Sequence, residues 1–137
     1  MPGTPTPILN LTVPSIGGDP TSWGAEFNGN LATIDFLGAA PVVTVNSAYS
    51  AIRPTYPEMI IRGTTSGINV QITLPVSATV QGKIYTVKKL DAGLGALQIL
   101  TQGTDLIDNF NEWDLTNQYQ YVRLYANGIG YDVIGSS

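Results

Sequence analysis

Only residues 19–38 carry the apolar spacing of a helix, and after Pro41 turn residues cut the chain too short for another. Asp19 is a favourable N-cap and Pro20 a favourable first helical residue. Trp23, Phe27, Leu31, Ile34 and Leu37 then recur at spacings of four, four, three and three. Gly38 supplies a left-handed stop and Pro41 prevents continuation. At ~1.5 Å per residue this helix is roughly 27 Å long. Read in heptads, Trp23, Phe27, Asn30, Ile34 and Leu37 form one seam, with Asn30 as a polar position that fixes register and oligomeric state. The same stripe would pack equally well on the protein's own sheet, and periodicity does not separate the two.

Ahead of the helix, Pro2, Pro5, Pro7 and Pro14 punctuate an arm that forbids helix and favours extended chain. Its Ile8, Leu9, Leu11 and Val13 are poorly soluble if exposed, which places them along another surface, the protein's own or a neighbour's.

From 41 to 137 the pattern is that of strands. Ile68, Val70, Ile72 and Leu74 alternate with Asn69, Gln71 and Thr73 up to Pro75, so one face is buried. Lys83 to Leu90 alternates Tyr85, Val87 and Lys89 with Ile84, Thr86 and Lys88, and Ala96 to Thr101 follows a glycine turn. Tyr121–Tyr125 and Ile129–Ile134 flank Asn127-Gly128, which predicts a hairpin with a type I′ turn. Val42–Val45, Met59–Arg62 and Leu115–Tyr121 are weaker strand candidates. Short strands at this spacing with Gly and Pro turns predict an antiparallel β-sandwich, jelly-roll-like in form.

Composition narrows the chemistry. The 137 residues include no His and no Cys, which removes imidazole proton transfer, thiolate nucleophiles, disulfides and Cys-built zinc sites. Charged residues are 12% of the chain, about half the usual share, which hints at more covered surface than a lone monomer has. The net charge of −4 argues against a nucleic-acid binder, no run is long enough to span a membrane, and the first residues do not read as a signal peptide. Charge is unevenly placed. Residues 1–40 hold Asp19, Glu26 and Asp35 with no cation; 41–90 hold Arg53, Arg62, Lys83, Lys88 and Lys89 against Glu58; 91–137 hold six acids against Arg123. The middle and last segments are therefore complementary, within one molecule or between copies.

Three groups of side chains are candidates for a site. Asp105, Asp108, Glu112 and Asp114 offer carboxylates for glycoside hydrolysis or for calcium, although no EF-hand spacing is present and solvated loop carboxylates explain them as well. The five cations of the middle segment offer a basic patch, but Lys88 and Lys89 point to opposite faces of their strand. Pairing with acids or protection of a strand edge accounts for them equally. Tyr119, Tyr121 and Tyr125 crowd the last strands as candidate ligand contacts for sugars or partner proteins, with core or interface packing as the alternative.

Leu9-Asn10-Leu11-Thr12-Val13-Pro14, Gly17-Gly18-Asp19, Trp23-Gly24, Asn28, Asn30-Leu31 and Ile34-Asp35 resemble the N-terminal attachment segment of tailed-bacteriophage tail-fibre and appendage proteins. Gly82-Lys83-Ile84-Tyr85-Thr86-Val87-Lys88-Lys89, Ile107-Asp108, and Asn127-Gly128 with Tyr131 and Val133-Ile134 are similar to small β-domains of phage fibres. Asn109-Phe110 stands where that pattern has a glycine, and Tyr131 where it has Trp, changes that should lengthen a turn and alter an aromatic contact.

The resemblance implies a virion structural protein, usually a homotrimer, without catalytic residues, and it favours the helix as an inter-chain seam. The expectation is thus an arm and trimerisation helix over 1–40 and a β-sandwich over 41–137. Leu9, Leu11, Trp23, Phe27, Asn30, Leu31, Ile34 and Leu37 would form the attachment interface. The partners expected are further copies, other virion proteins of capsid, neck or tail, and a host surface glycan, with no cofactor, metal, nucleic acid or membrane insertion. A capsid cement protein and a carbohydrate-binding adhesin module are the alternatives.

Overall fold

The computed structural model describes residues 40–137; the arm, the helix and their eight interface residues from Leu9 to Leu37 lie outside the described residues. The described body is mainly β. Its strands are β1 (Val42–Val45), β2 (Tyr49–Ser50), β3 (Glu58–Gly63), β4 (Val70–Leu74), β5 (Ile84–Lys89), β6 (Leu97–Thr101), β7 (Glu112–Leu115), β8 (Tyr121–Ala126) and β9 (Tyr131–Ser136). One 3₁₀ turn, Ser77–Thr79, is the only helical element among the described residues.

Two sheets result, one in the order β1-β3-β5-β8-β9 and one in the order β2-β4-β6-β7. Through β6 successive strands alternate between them, and every pairing within this set is parallel. The chain therefore coils three times around one core before reversing, with β7, β8 and β9 joining antiparallel. The expectation of antiparallel sheets is corrected: the sheets are mixed. Parallel neighbours ordinarily need a crossover of a dozen residues or more, usually a helix. Here a strand of the opposite sheet serves as that crossover, so the connecting turns stay short enough to imitate hairpins in sequence.

Alternation decides which side chains enter the core. β3 buries Met59 and Ile61, β4 buries Val70, Ile72 and Leu74, and β5 buries Tyr85 and Val87. Leu97, Ile99, Leu115, Val122, Leu124 and Tyr131 complete one apolar cluster fed from both sheets. Each fully buried aliphatic side chain contributes about 1.5–3 kcal/mol, much of it offset by the entropy of ordering. Tyr85 and Tyr131 meet edge to face at 6.1 Å between ring centroids. Their hydroxyls donate to the carbonyls of Ile52 at 2.9 Å and Pro75 at 2.7 Å, so neither phenol is buried without a partner.

Local expectations are partly revised. The strand expected over 115–121 is interrupted: Leu115 closes β7, 116–120 form a loop, and Tyr121 opens β8. The hairpin of β8 and β9 forms, but its loop does not have left-handed backbone at both Asn127 and Gly128. Gly128 alone is left-handed (φ 97°), and Asn127 Oδ1 instead accepts the Ile129 N–H at 2.9 Å. The backbone of a type I′ turn falls at Asp108 and Asn109 (φ 45° and 72°), bracketed by reciprocal 2.8 Å bonds between Ile107 and Phe110. The substitution of Asn109-Phe110 for glycine therefore gives a tight turn, not a longer one. Asp and Asn tolerate left-handed backbone, so no glycine is required.

Loops gather at two ends of the body. Residues 46–48, 64–69, 90–96 and 116–120 lie at one end, while Ala40–Pro41, 51–57, 75–83, 102–111 and 127–130 lie at the other. A six-residue strand such as β5 separates them by roughly 20 Å.

Candidate functional site

The end that carries loop 116–120 combines the most exposed tyrosine of the described body with free polar groups. Tyr119 is 60% exposed and sits in left-handed backbone (φ 64°), a conformation an aromatic residue keeps only when its surroundings impose it. Here the imposing bonds are visible. Tyr119 N–H donates to Lys89 O at 2.8 Å, and Lys89 N–H donates to Gln120 O at 2.9 Å, pinning the loop to the end of β5. Gln120 folds back so that its Oε1 accepts the N–H groups of Thr116 at 2.8 Å and Asn117 at 3.1 Å. Gln118 Nε2 donates to Leu90 O at 3.2 Å.

These bonds leave the Asn117 side chain, Gln120 Nε2 and the Tyr119 hydroxyl without a hydrogen-bond partner among the described residues. They border a cleft of about 360 Å³ lined, among the described residues, by Asn117, Gln118, Tyr119, Gln120 and Ser137. A held aromatic plate beside unspent amide groups can take a ligand that has both an apolar face and hydroxyls.

The other two tyrosines divide. Tyr121 and Tyr125 both face outward on β8, where Tyr121 pairs with Lys88 and Tyr125 with Ile84. Four residues of strand put about 13 Å between them, so Tyr119 and Tyr121 share one end and Tyr125 stands apart. Lys88 also faces outward, with its ammonium 5.5 Å from the Tyr119 ring centroid in a cation–π contact. Beside it in register on β3 lies Arg62, likewise outward. Neither Arg62 nor Lys88 is paired with a carboxylate among the described residues. Glu58, on the same face, is engaged by Arg123 at 3.4 Å and by the Thr86 hydroxyl.

Lys89 has the opposite fate to Lys88. Its side chain is fully buried, and its ammonium donates to Asp91 O at 2.7 Å, Asp91 Oδ1 at 2.9 Å and Gly93 O at 2.9 Å. The Asp91 carboxylate also accepts from Thr65 and Ser66 N–H groups. The Lys89 hydrogen bond, helped by these amides and by the cation's charge, holds Asp91 well below the usual carboxylate range. All three ammonium protons are spent, so this is a clasp between two loops and not a reactive amine. β5 is a central strand, so edge protection explains neither lysine.

The acidic candidates are dispersed. Asp105 accepts the Ser77 N–H and Asp108 the Val133 N–H, and both act as loop acceptors. Glu112 and Asp114 share the outer face of β7, where the charge of Asp114 raises the Glu112 pKa. No three carboxylates converge in a metal-holding group among the described residues. At the opposite end Arg53, Pro54, Thr55 and Lys83 line, among the described residues, a smaller cleft of about 260 Å³, where burial and the Arg53 charge lower the Lys83 pKa.

Sequence reasoning missed the Lys89–Asp91 clasp and the side-by-side placement of Arg62 and Lys88. The inward position of Lys89 in its alternation was the one available signal for the first; the second depends on parallel register. No protein-family model, curated protein or solved structure matches this chain.

Proposed function

We propose that the protein is a non-enzymatic bacteriophage virion component: a trimeric surface appendage mounted through its N-terminal arm and helix, with the β body projecting outward. The two facing sheets are read as a sandwich reached by coiling. One observation carries the reading: the body begins, at Ala40–Pro41, at the end opposite Tyr119 and its cleft. A chain tethered at the first end presents the second to its surroundings. The resemblance of the arm and helix to phage attachment segments, and the scarcity of charge, support the same reading.

The test is Phe27→Asp with Ile34→Asp in the full chain. Light scattering should show loss of the trimer while far-UV circular dichroism retains the β signal. A trimer that survives both substitutions would place the seam elsewhere. Adding wild-type protein to particles that lack it distinguishes a cement: a raised rupture temperature on heating would favour that alternative over an appendage.

A second reading, a saccharide-binding adhesin, is favoured by Tyr119 itself. Its exposed ring is held rigidly beside Asn117 and Gln120 groups that have no internal hydrogen-bond partner among the described residues.

A further inference from the structure

We infer that the ligand of the Tyr119 end is an acidic saccharide, bound by Arg62 and Lys88 through its anionic group and by Tyr119 and its neighbouring amides through the sugar. The proposal rests on the adhesin reading of that end and adds the charge of the ligand.

Like charges directly opposite one another on neighbouring strands destabilise a sheet. Arg62 and Lys88 are such a pair, on adjacent central strands and on the same outer face. The sheet holds an acid on that face, Glu58, but it stands at the far end of β3 and is engaged by Arg123 and Thr86. Among the described residues neither cation is thus answered by a carboxylate, and their side chains start from positions one strand spacing, about 4.8 Å, apart, near enough for their long, flexible ends to reach one carboxylate or phosphate between them. The guanidinium offers a planar fork and the ammonium a point charge, a combination suited to an oxyanion.

What extends from that anion is defined by the next residues along the same row. Tyr121 lies opposite Lys88, and the Tyr119 ring lies against the Lys88 ammonium. Beyond the ring come Asn117 and Gln120, neutral groups that donate to and accept from hydroxyls. An acidic peptide would use the cations, but its flexible glutamate side chains present no rigid apolar face to the Tyr119 ring; a neutral sugar would use the ring and the cleft and leave the cations unanswered. A sugar acid satisfies both.

Isothermal titration of the full-length chain with three probes tests this: a glucuronic acid oligosaccharide, a glucose oligosaccharide of equal length, and polyglutamate. The acidic sugar should bind at least about tenfold tighter than the neutral one, and its affinity should fall with added salt. Arg62→Gln and Lys88→Gln should each weaken the acidic sugar by about tenfold without changing the neutral one. Tyr119→Ala should weaken both sugars, and Lys83→Gln, at the other end, should change neither; circular dichroism checks that each variant is folded.

Equal affinity for the two sugars would overturn the acidic class and leave the adhesin reading standing. Binding of neither sugar would overturn both. Polyglutamate binding as tightly as the sugar acid would overturn the proposal in favour of a peptide partner. None of these outcomes bears on trimerisation, which the Phe27 and Ile34 variants read separately.

Discussion

Two adjacent lysines of β5 should respond very unequally to the same substitution. Lys89→Met keeps an unbranched apolar stem and removes little more than the ammonium at its tip, so most of its cost is that of the clasp. Its ammonium is fully buried and makes three hydrogen bonds between 2.7 and 2.9 Å, two of them to backbone carbonyls that methionine cannot satisfy. Removing one partner of a buried ion pair costs about 3–5 kcal/mol. The Asp91 side chain is a quarter exposed and can regain water, so the lower end applies, about 3 kcal/mol. With a urea slope near ~1.5 kcal/mol per molar, the unfolding midpoint should drop by about 2 M. Lys88→Met, outward and held among the described residues by a ring contact, should stay within about 0.5 kcal/mol of wild type.

Urea titration followed by circular dichroism measures both. Equal midpoints for the two variants, or a Lys89→Met midpoint indistinguishable from wild type, would refute the assignment of Lys89 as the lock between loops 64–69 and 90–96. The same clasp gives an acid limb. Because the folded state depresses the Asp91 pKa, its stabilisation is present above the unfolded value near 3.8 and is lost as pH falls toward the folded one. In the Lys89→Met protein that acid limb should flatten.

Two further outcomes concern packing. Gly95→Ala should unfold the body or cost several kcal/mol, since a Cβ there would run into the Ile68 backbone carbonyl, which cannot yield as a flexible side chain would; thermal melts against the Gly135→Ala control, where a Cβ meets only ordinary van der Waals contacts, will show it. Burial pushes the Tyr85 phenol up to about 12 and Tyr131 higher still, so stability should hold below pH 10 and fall as the pH rises through the folded values. Tyr85→Phe should reduce that alkaline loss, as measured by urea midpoints between pH 9 and 12.

Strand positions were legible because each buried face alternates with a wet one. Val70, Ile72 and Leu74 against Gln71, and Tyr85, Val87 and Lys89 against Lys88, follow that alternation, whereas Ile68, expected on the same buried face, lies in the loop before β4 and is exposed. Pairing direction was not legible. Alternation says which face is inside but not which strand lies alongside, and a chain that switches sheets at every turn carries the same short loops as a meander. The tyrosine end was half legible: aromatic crowding pointed to Tyr119 and Tyr121, yet Tyr125 joined them only in sequence. The Arg62–Lys88 pair required the register of β3 on β5 and had no signature in spacing.

Val42, Ile60 and Thr86 stand in line although unequal lengths of chain separate them, because each lap around the core realigns on the ladder beneath it whatever it spends in between. Insertions between strands are therefore absorbed as larger excursions at the rim, leaving the register untouched. Such a scaffold lets the rim loops differ in length while the stacked wall keeps its ladder.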